Sequence, residues 1–216
     1  MIKNRFFSIK KLIPKNVKIL AVSKSQDIYS IKKLYKLGQR DFGENYIQEI
    51  IKKYKNLPKD IRWHMIGRIQ NNKLKYIIPF IYLIHSVQNL KQIQIINKIA
   101  LKYNKIINCL LQIKISSEKS KSGITDQEAY KILENKIYQS MNNVKIIGLM
   151  GIASFQELSK IQKEFSYLHS LYNEYKKKYK HYILSMGMSR DYHIAIKYGS
   201  NIIRLGTFLF GKKSNL

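Results

Sequence analysis

Residues 17–38 read VKILAVSKSQDIYSIKKLYKLG, and the fold is decided here. Val17 to Val22 is a short apolar run of strand type. Asp27 to Gly38 is an amphipathic stretch of helical type, closed by its glycine. Outward from this unit the same alternation recurs. Strands are expected at Arg40 to Phe42, Ile61 to Ile66, Phe80 to His85, Ile106 to Ile115, Val144 to Leu149, Tyr182 to Met186 and Asn201 to Leu205. Helices are expected at Glu44 to Tyr54, Asn71 to Ile77, Gln88 to Tyr103, Thr125 to Gln139, Gln156 to Tyr179 and from a Ser189 cap to near Gly199. Eight β-then-α units in roughly 200 residues fit a compact α/β fold, a (β/α)8 barrel. A doubly wound sheet uses the same alternation, and the number eight favours the barrel. The three prolines and ten glycines are scattered, and no linker stands out. Residues 1–216 are therefore taken as a single barrel domain, with 1–16 as a short N-terminal extension.

Forty Lys and Arg against 13 Asp and Glu give a formal net charge of +27. Lys supplies 34 of the 40 and Arg six, while Ile occurs 36 times. Lys, Ile, Asn and Tyr have A/T-rich codons, so a biased genome accounts for the composition without a polyanionic partner. Arg is scarce and no helix-turn-helix or RNP-like signature occurs, which argues against a specific nucleic-acid-binding module. Cys109 is the one cysteine, so an internal disulfide and a Cys-based metal cluster are ruled out. Ile-rich stretches such as Tyr76 to Ile84 are too short to cross a bilayer, and Met1 to Lys18 lacks the apolar core of a signal peptide. A cytoplasmic protein without a membrane partner is expected.

In a parallel barrel, reactive groups collect where strands run into their following loops. The candidates in chain order are Lys24; Gly43, Glu44 and Asn45; Gly67; His85 and Ser86; the Ser116 to Gly123 loop; Met150 and Gly151; Met186 to Ser189; and Gly206 with Thr207. Leu20, Val22 and Lys24 share one face of the first strand, so Lys24 ends an apolar stripe. An amine desolvated there is freed to attack a carbonyl. Ser189, as a helix N-cap, and Gly206-Thr207, as the start of a short helix, offer free N–H groups to an anion on adjacent strands. Arg204 shares a strand face with Gly206. An interior arginine ordinarily pairs with a carboxylate. Facing a heteroaromatic nitrogen, it would donate a hydrogen bond and keep that nitrogen unprotonated. The five histidines show no metal-site spacing; His64 and His85 could line the barrel. Glu44 is an interior carboxylate of structural type.

At these residues the chain resembles the YggS/PROSC-type pyridoxal phosphate homeostasis proteins. The resemblance runs from about Ile19 to Gly211 and is carried by ordered segments at strand ends. They are Leu20-Ala21-Val22-Ser23-Lys24, Gly38 to Tyr46, Trp63 to Gly67, Gln70 to Lys73, His85-Ser86-Val87, Ser120-Lys121-Ser122-Gly123, Gly148-Leu149-Met150, Met186 to Ser189 and Arg204 to Thr207. It implies a single barrel like that of alanine racemase, carrying pyridoxal 5′-phosphate. Lys24 matches the Schiff-base lysine that holds the cofactor as an internal aldimine. Ser189, Gly206 and Thr207 match the phosphate-binding positions, and Arg204 the arginine at the pyridine nitrogen. Asn45, Ser86 and Ser185 match polar positions around the cofactor. The implied function is cofactor binding in intracellular vitamin B6 homeostasis without a defined turnover. The alternative is a minimal racemase-like enzyme, which needs a second acid/base that alanine racemase takes from another domain and that this sequence, ending at Leu216, is not expected to have. A monomer is expected, with transient contacts to pyridoxal phosphate-dependent enzymes. Ser25-Gln26-Asp27, Arg68 and Gly151 to Ser154 depart from the family pattern.

Overall fold

Parallel pairing runs from the first strand to the eighth and returns to the first, so the sheet closes on itself. The computed structural model describes residues 2–118 and 121–211; Ser120, named above, lies outside them. The strands are β1 (Lys18–Val22), β2 (Asp41–Glu44), β3 (Arg62–Met65), β4 (Ile81–Val87), β5 (Ile107–Ile113), β6 (Val144–Gly151), β7 (Ile183–Met188) and β8 (Ile202–Leu205). Between and around them lie α1 (Ile2–Leu12), α2 (Ile28–Lys36), α3 (Ile47–Asn56), α4 (Leu90–Leu101), α5 (Asp126–Leu133), α6 (Lys136–Gln139), α7 (Leu158–Tyr179), α8 (Tyr192–Lys197) and α9 (Thr207–Phe210). A 3-10 helix over Asn71–Tyr76 joins β3 to β4.

Strand alternation divides the core in two. One cluster of Leu20, Leu83, Leu110, Ile147, Met150, Ile183 and Ile202 fills the barrel. The other strand face, with Ala21, Phe42, Trp63, Ile84, Leu111 and Leu205, packs on helix residues such as Ile31, Ile50, Ile96 and Phe165. Burial of a large aliphatic side chain contributes roughly 1.5–3 kcal/mol, so both layers resist opening of the ring. Cys109 belongs to the outer layer, where burial pushes its thiol up and leaves it inert.

Within the N-terminal extension Phe6 and Ile9, three apart on α1, are fully buried in the main core. Two sequence expectations need correction. The helix expected from Thr125 to Gln139 is two. The Asn135 side chain accepts from the Ile137 N–H and restarts the chain as α6, consistent with asparagine's preference for caps over helix interiors. Ser189 does not cap α8. Asp191 stands at that N-cap, and its carboxylate accepts from the Met188 N–H at 2.6 Å. No described helix is long and apolar enough to cross a membrane.

Candidate functional site

The strand-to-loop ends converge on one cavity of about 560 Å³ at the barrel mouth. Lys24, Asn45, Gly67, Ser189, Arg204, Gly206 and Thr207 all line it, as the strand-end rule anticipates. Val22 continues the apolar stripe into the wall. Sequence reasoning missed Gln88, Gln112 and Phe155, none of which falls within a segment it singled out as a candidate site.

Lys24 is exposed, not desolvated, because β1 ends at Val22 and the chain turns out over the rim. Its backbone is nonetheless fixed from both sides. Ser23 donates its amide to the Gly43 carbonyl at 3.0 Å and its hydroxyl to Glu44 at 2.6 Å. Ser25, left-handed at φ 58°, donates its N–H to Glu49. Lys53 Nζ joins these groups, donating to the Ser23 carbonyl and to the carboxylates of Glu44 and Glu49 at 2.7–2.8 Å. Only 5% of Lys53 is exposed. Its position on a helix face gave no hint of this, since lysines there are ordinarily solvated. Glu44 points out of the barrel toward α3; burial raises its carboxyl to about 7 against the pull of Lys53.

Gly67 is where β3 must pass the loop after β2. A Cβ there would sit 2.2 Å from the Asn45 carbonyl oxygen and 2.6 Å from its Cα. Gly67→Ala should therefore displace Asn45 and destabilise the protein by ~1–3 kcal/mol, read as a lower denaturant midpoint at constant slope. An unchanged midpoint would show that the two backbones are not held this close.

The backbone N–H groups suited to an anion lie on the loops after β7 and β8, and β8 is paired with β1, the strand that leads to Lys24. The backbone N–H groups of Ser189, Arg190 and Gly206 donate to no acceptor among the described residues. Thr207 opens α9, so its N–H has no helical acceptor either. Ser189 Oγ accepts from the Phe208 N–H at 3.2 Å and ties the two loops together. Five cationic side chains line the cavity (Lys24, Arg68, Lys121, Arg190 and Arg204), and among the described lining residues none is a carboxylate.

Arg204 is 4% exposed and, unlike most interior arginines, has no carboxylate salt-bridge partner among the described residues. Nη1 donates to the Ser185 carbonyl and hydroxyl at 2.8 and 2.9 Å, and Nη2 to the Gly151 carbonyl at 2.8 Å. Two of the five guanidinium N–H donors remain without a partner among the described residues. Burial lowers its pKa to about 10, still charged at neutral pH. Ser185 and Ser86 lie beneath the cavity instead of lining it. Their hydroxyls are committed below, Ser185 to Arg204 and Ser86 as a donor to the Gly67 carbonyl at 2.5 Å. Among the described residues no group of three or more His, Cys, Asp or Glu is placed to hold a metal ion.

Both the sequence and the barrel are similar to those of known proteins. Residues 1–214 match the family model for the alanine racemase N-terminal domain. A pyridoxal phosphate homeostasis protein of Aquifex aeolicus is 36% identical over 200 residues, covering 91% of this chain and 87% of that protein. The chain belongs to the pyridoxal phosphate homeostasis protein family. A solved structure of PipY from Synechococcus elongatus, with pyridoxal phosphate bound, superposes with a TM-score of 0.88 at 31% identity, covering 98% of this chain and all of that one. Alanine racemase of Clostridium difficile shares the barrel alone, with a TM-score of 0.81 at 17% identity over 60% of its own length.

Proposed function

We propose that this protein binds pyridoxal 5′-phosphate at the barrel mouth and serves intracellular vitamin B6 homeostasis by holding the cofactor without turning over a substrate. The observation that carries the reading is one cavity lined by Lys24, by unpaired backbone N–H groups and by a buried arginine with spare donors, with no carboxylate among the described lining residues. The bound group supplies a reactive aldehyde, a phosphate and a pyridine nitrogen. Each has a partner of fitting chemistry. Lys24 presents an amine to the aldehyde carbon. The N–H groups around Ser189 and Gly206-Thr207 receive the phosphate, with the Ser189 hydroxyl still free to donate. Arg204 offers the pyridine nitrogen a donor, and Asn45 flanks the ring from the loop after β2. Ser86 and Ser185 act one step removed, through Gly67 and Arg204.

A racemase needs an acid/base on each face of its substrate. Apart from Lys24, the described lining carries amides, hydroxyls, arginines and Lys121, with no Tyr, His, Cys, Asp or Glu. That lining supports storage of the cofactor over turnover.

Thr207→Ala should weaken cofactor binding by about one hydrogen bond to a charged group, ~1.5–3 kcal/mol. Gly206→Val should do more. A Cβ at 206 meets only Val22 atoms at 3.4 Å or beyond, so the scaffold tolerates it while the added methyls crowd the cradle. Equilibrium titration of both variants with pyridoxal phosphate checks this. Unchanged affinity in both would put the cradle elsewhere.

A further inference from the structure

Below the cavity a chain of buried polar side chains crosses the barrel, and the site described so far uses only its upper end. Arg204 Nη1 donates to Ser185 Oγ at 2.9 Å. Ser185 Oγ lies 3.1 Å from His85 Nδ1, His85 Nε2 lies 2.9 Å from His64 Nδ1, and His64 Nε2 lies 3.1 Å from Asp41 Oδ1. The path runs β8, β7, β4, β3, β2, spanning the interior between non-adjacent strands. At its foot Arg62 grips both Asp41 oxygens at 2.8 and 2.6 Å. His64, His85 and Ser185 are at most 2% exposed.

The ends of the chain decide where every hydrogen sits. Arginine has donors only, and an ionised carboxylate has acceptors only. Asp41 is ionised: burial opposes this, but Arg62 and His64 outweigh it and hold the carboxyl well below its usual range. Burial lowers the pKa of both histidines, so each is neutral with one N–H. His64 must then donate from Nε2 to Asp41, which leaves Nδ1 to accept. His85 must donate from Nε2 to that Nδ1, which leaves its own Nδ1 to accept from the Ser185 hydroxyl. Ser185 is left as an acceptor toward Arg204. With both rings neutral, no other arrangement satisfies all four contacts.

We infer that Asp41, His64, His85 and Ser185 form a one-directional hydrogen-bond relay that positions Arg204 in the cavity wall. A carboxylate placed directly against Arg204 would take two of its N–H groups in a bidentate pair and leave little for a ligand. The relay instead sets the negative charge at the far end of the barrel and reaches Arg204 through one oxygen. The guanidinium is oriented and its spare donors stay available. These are positioning residues, since none of them lines the cavity. The inference rests on the reading of Arg204 as the ring-nitrogen donor, and its test separates the two.

The first arm uses cofactor-free protein with nitrogen-15-labelled histidine. Long-range proton–nitrogen correlation at neutral pH should show His64 and His85 both neutral and protonated at Nε2. An Nδ1–H form or an imidazolium at either residue would overturn the relay, whatever the protein binds. The second arm compares His85→Leu, and the smaller change Ser185→Ala, with the parent. Guanidinium protons of Arg204 should exchange with solvent at least several-fold faster in both variants. Binding of pyridoxal phosphate should weaken tenfold or more, while its analogue with carbon in place of the ring nitrogen should lose little. Unchanged exchange at Arg204 in a folded variant would refute the positioning role. Equal losses for the two ligands alongside faster exchange would leave the relay standing and refute Arg204 as the ring-nitrogen donor.

Discussion

Borohydride reduction of the protein loaded with pyridoxal phosphate should leave a stable pyridoxyl mass on Lys24, and Lys24→Ala should abolish the label. The sequence holds 34 lysines, yet among the described residues only Lys24 and Lys121 line the cavity. Lys121 is engaged elsewhere, 3.9 Å over the Phe155 ring and 3.8 Å from Glu118. Lys24 has no ion pair among the described residues, and its backbone is clamped by Ser23, Ser25, Glu44, Glu49 and Lys53. That clamp holds the amine's root still, so attachment does not first have to order the turn. Lys24→Arg gives the sharper comparison. It keeps the positive charge for the anion but cannot bond to the aldehyde, so reversible binding should survive while the reduced label disappears. Peptide mass mapping is the readout. A label found mainly on Lys121, or on any lysine outside the cavity, would remove Lys24 from this role.

The barrel was legible because its signal is local and repeated. Each strand is a short apolar run, and each is followed by an amphipathic stretch. The place of Lys24 at the cavity was legible for the same reason, since the alternation of Leu20 and Val22 points toward the mouth, although β1 ends at Val22 and Lys24 sits on the turn beyond it. Contacts between distant residues could not be counted. His85 and Ser185 meet across the barrel 100 positions apart, and neither sits in a motif that names the other. Lys53 looked like any solvated helix-face lysine until folding brought it under Ser23. Ser189 had the residue type and place of an N-cap, but the backbone turned two residues later and gave the position to Asp191. In each case the local propensity was real, and the tertiary geometry redirected it.

The clamp and the relay divide the supporting structure of the site between the two sides of the barrel wall. Glu44 and Lys53 lie between strands and helices and hold the turn that carries Lys24. Asp41, His64, His85 and Ser185 lie inside and hold Arg204. Breaking the buried Glu44–Lys53 pair by removing one partner strands the other in a poor solvent, at a cost of roughly 3–5 kcal/mol. Substitutions at the two clusters should therefore differ in what they disturb at the cavity, attachment at Lys24 for one and the ring environment for the other.

Arg204→Glu should change the protonation of the bound ring. The Arg204 guanidinium is charged at neutral pH and only donates, so it can meet a pyridine nitrogen only at its lone pair. A carboxylate at the same place accepts, and it favours the protonated ring that acts as a strong electron sink. Nitrogen-15 shifts of labelled cofactor should therefore show an unprotonated ring in the parent and a protonated one in the variant. Arg204 also donates to Ser185 and Gly151, so the substitution disturbs the wall. Arg204→Gln is the milder companion: it keeps a donor without the charge and should leave the ring unprotonated. Loss of one charge-assisted donor should weaken binding by about 1.5–3 kcal/mol, or roughly 10- to 150-fold. A protonated ring in the parent would refute the electronic role of Arg204 while leaving the cofactor assignment intact. Racemisation should stay at background in Arg204→Glu even with the better sink. Proton exchange at a substrate carbon needs an acid and a base on opposite faces, and changing position 204 supplies neither beyond Lys24. Steady deuterium incorporation into L-amino acids by the variant would show that the weak sink alone had been holding back an enzyme.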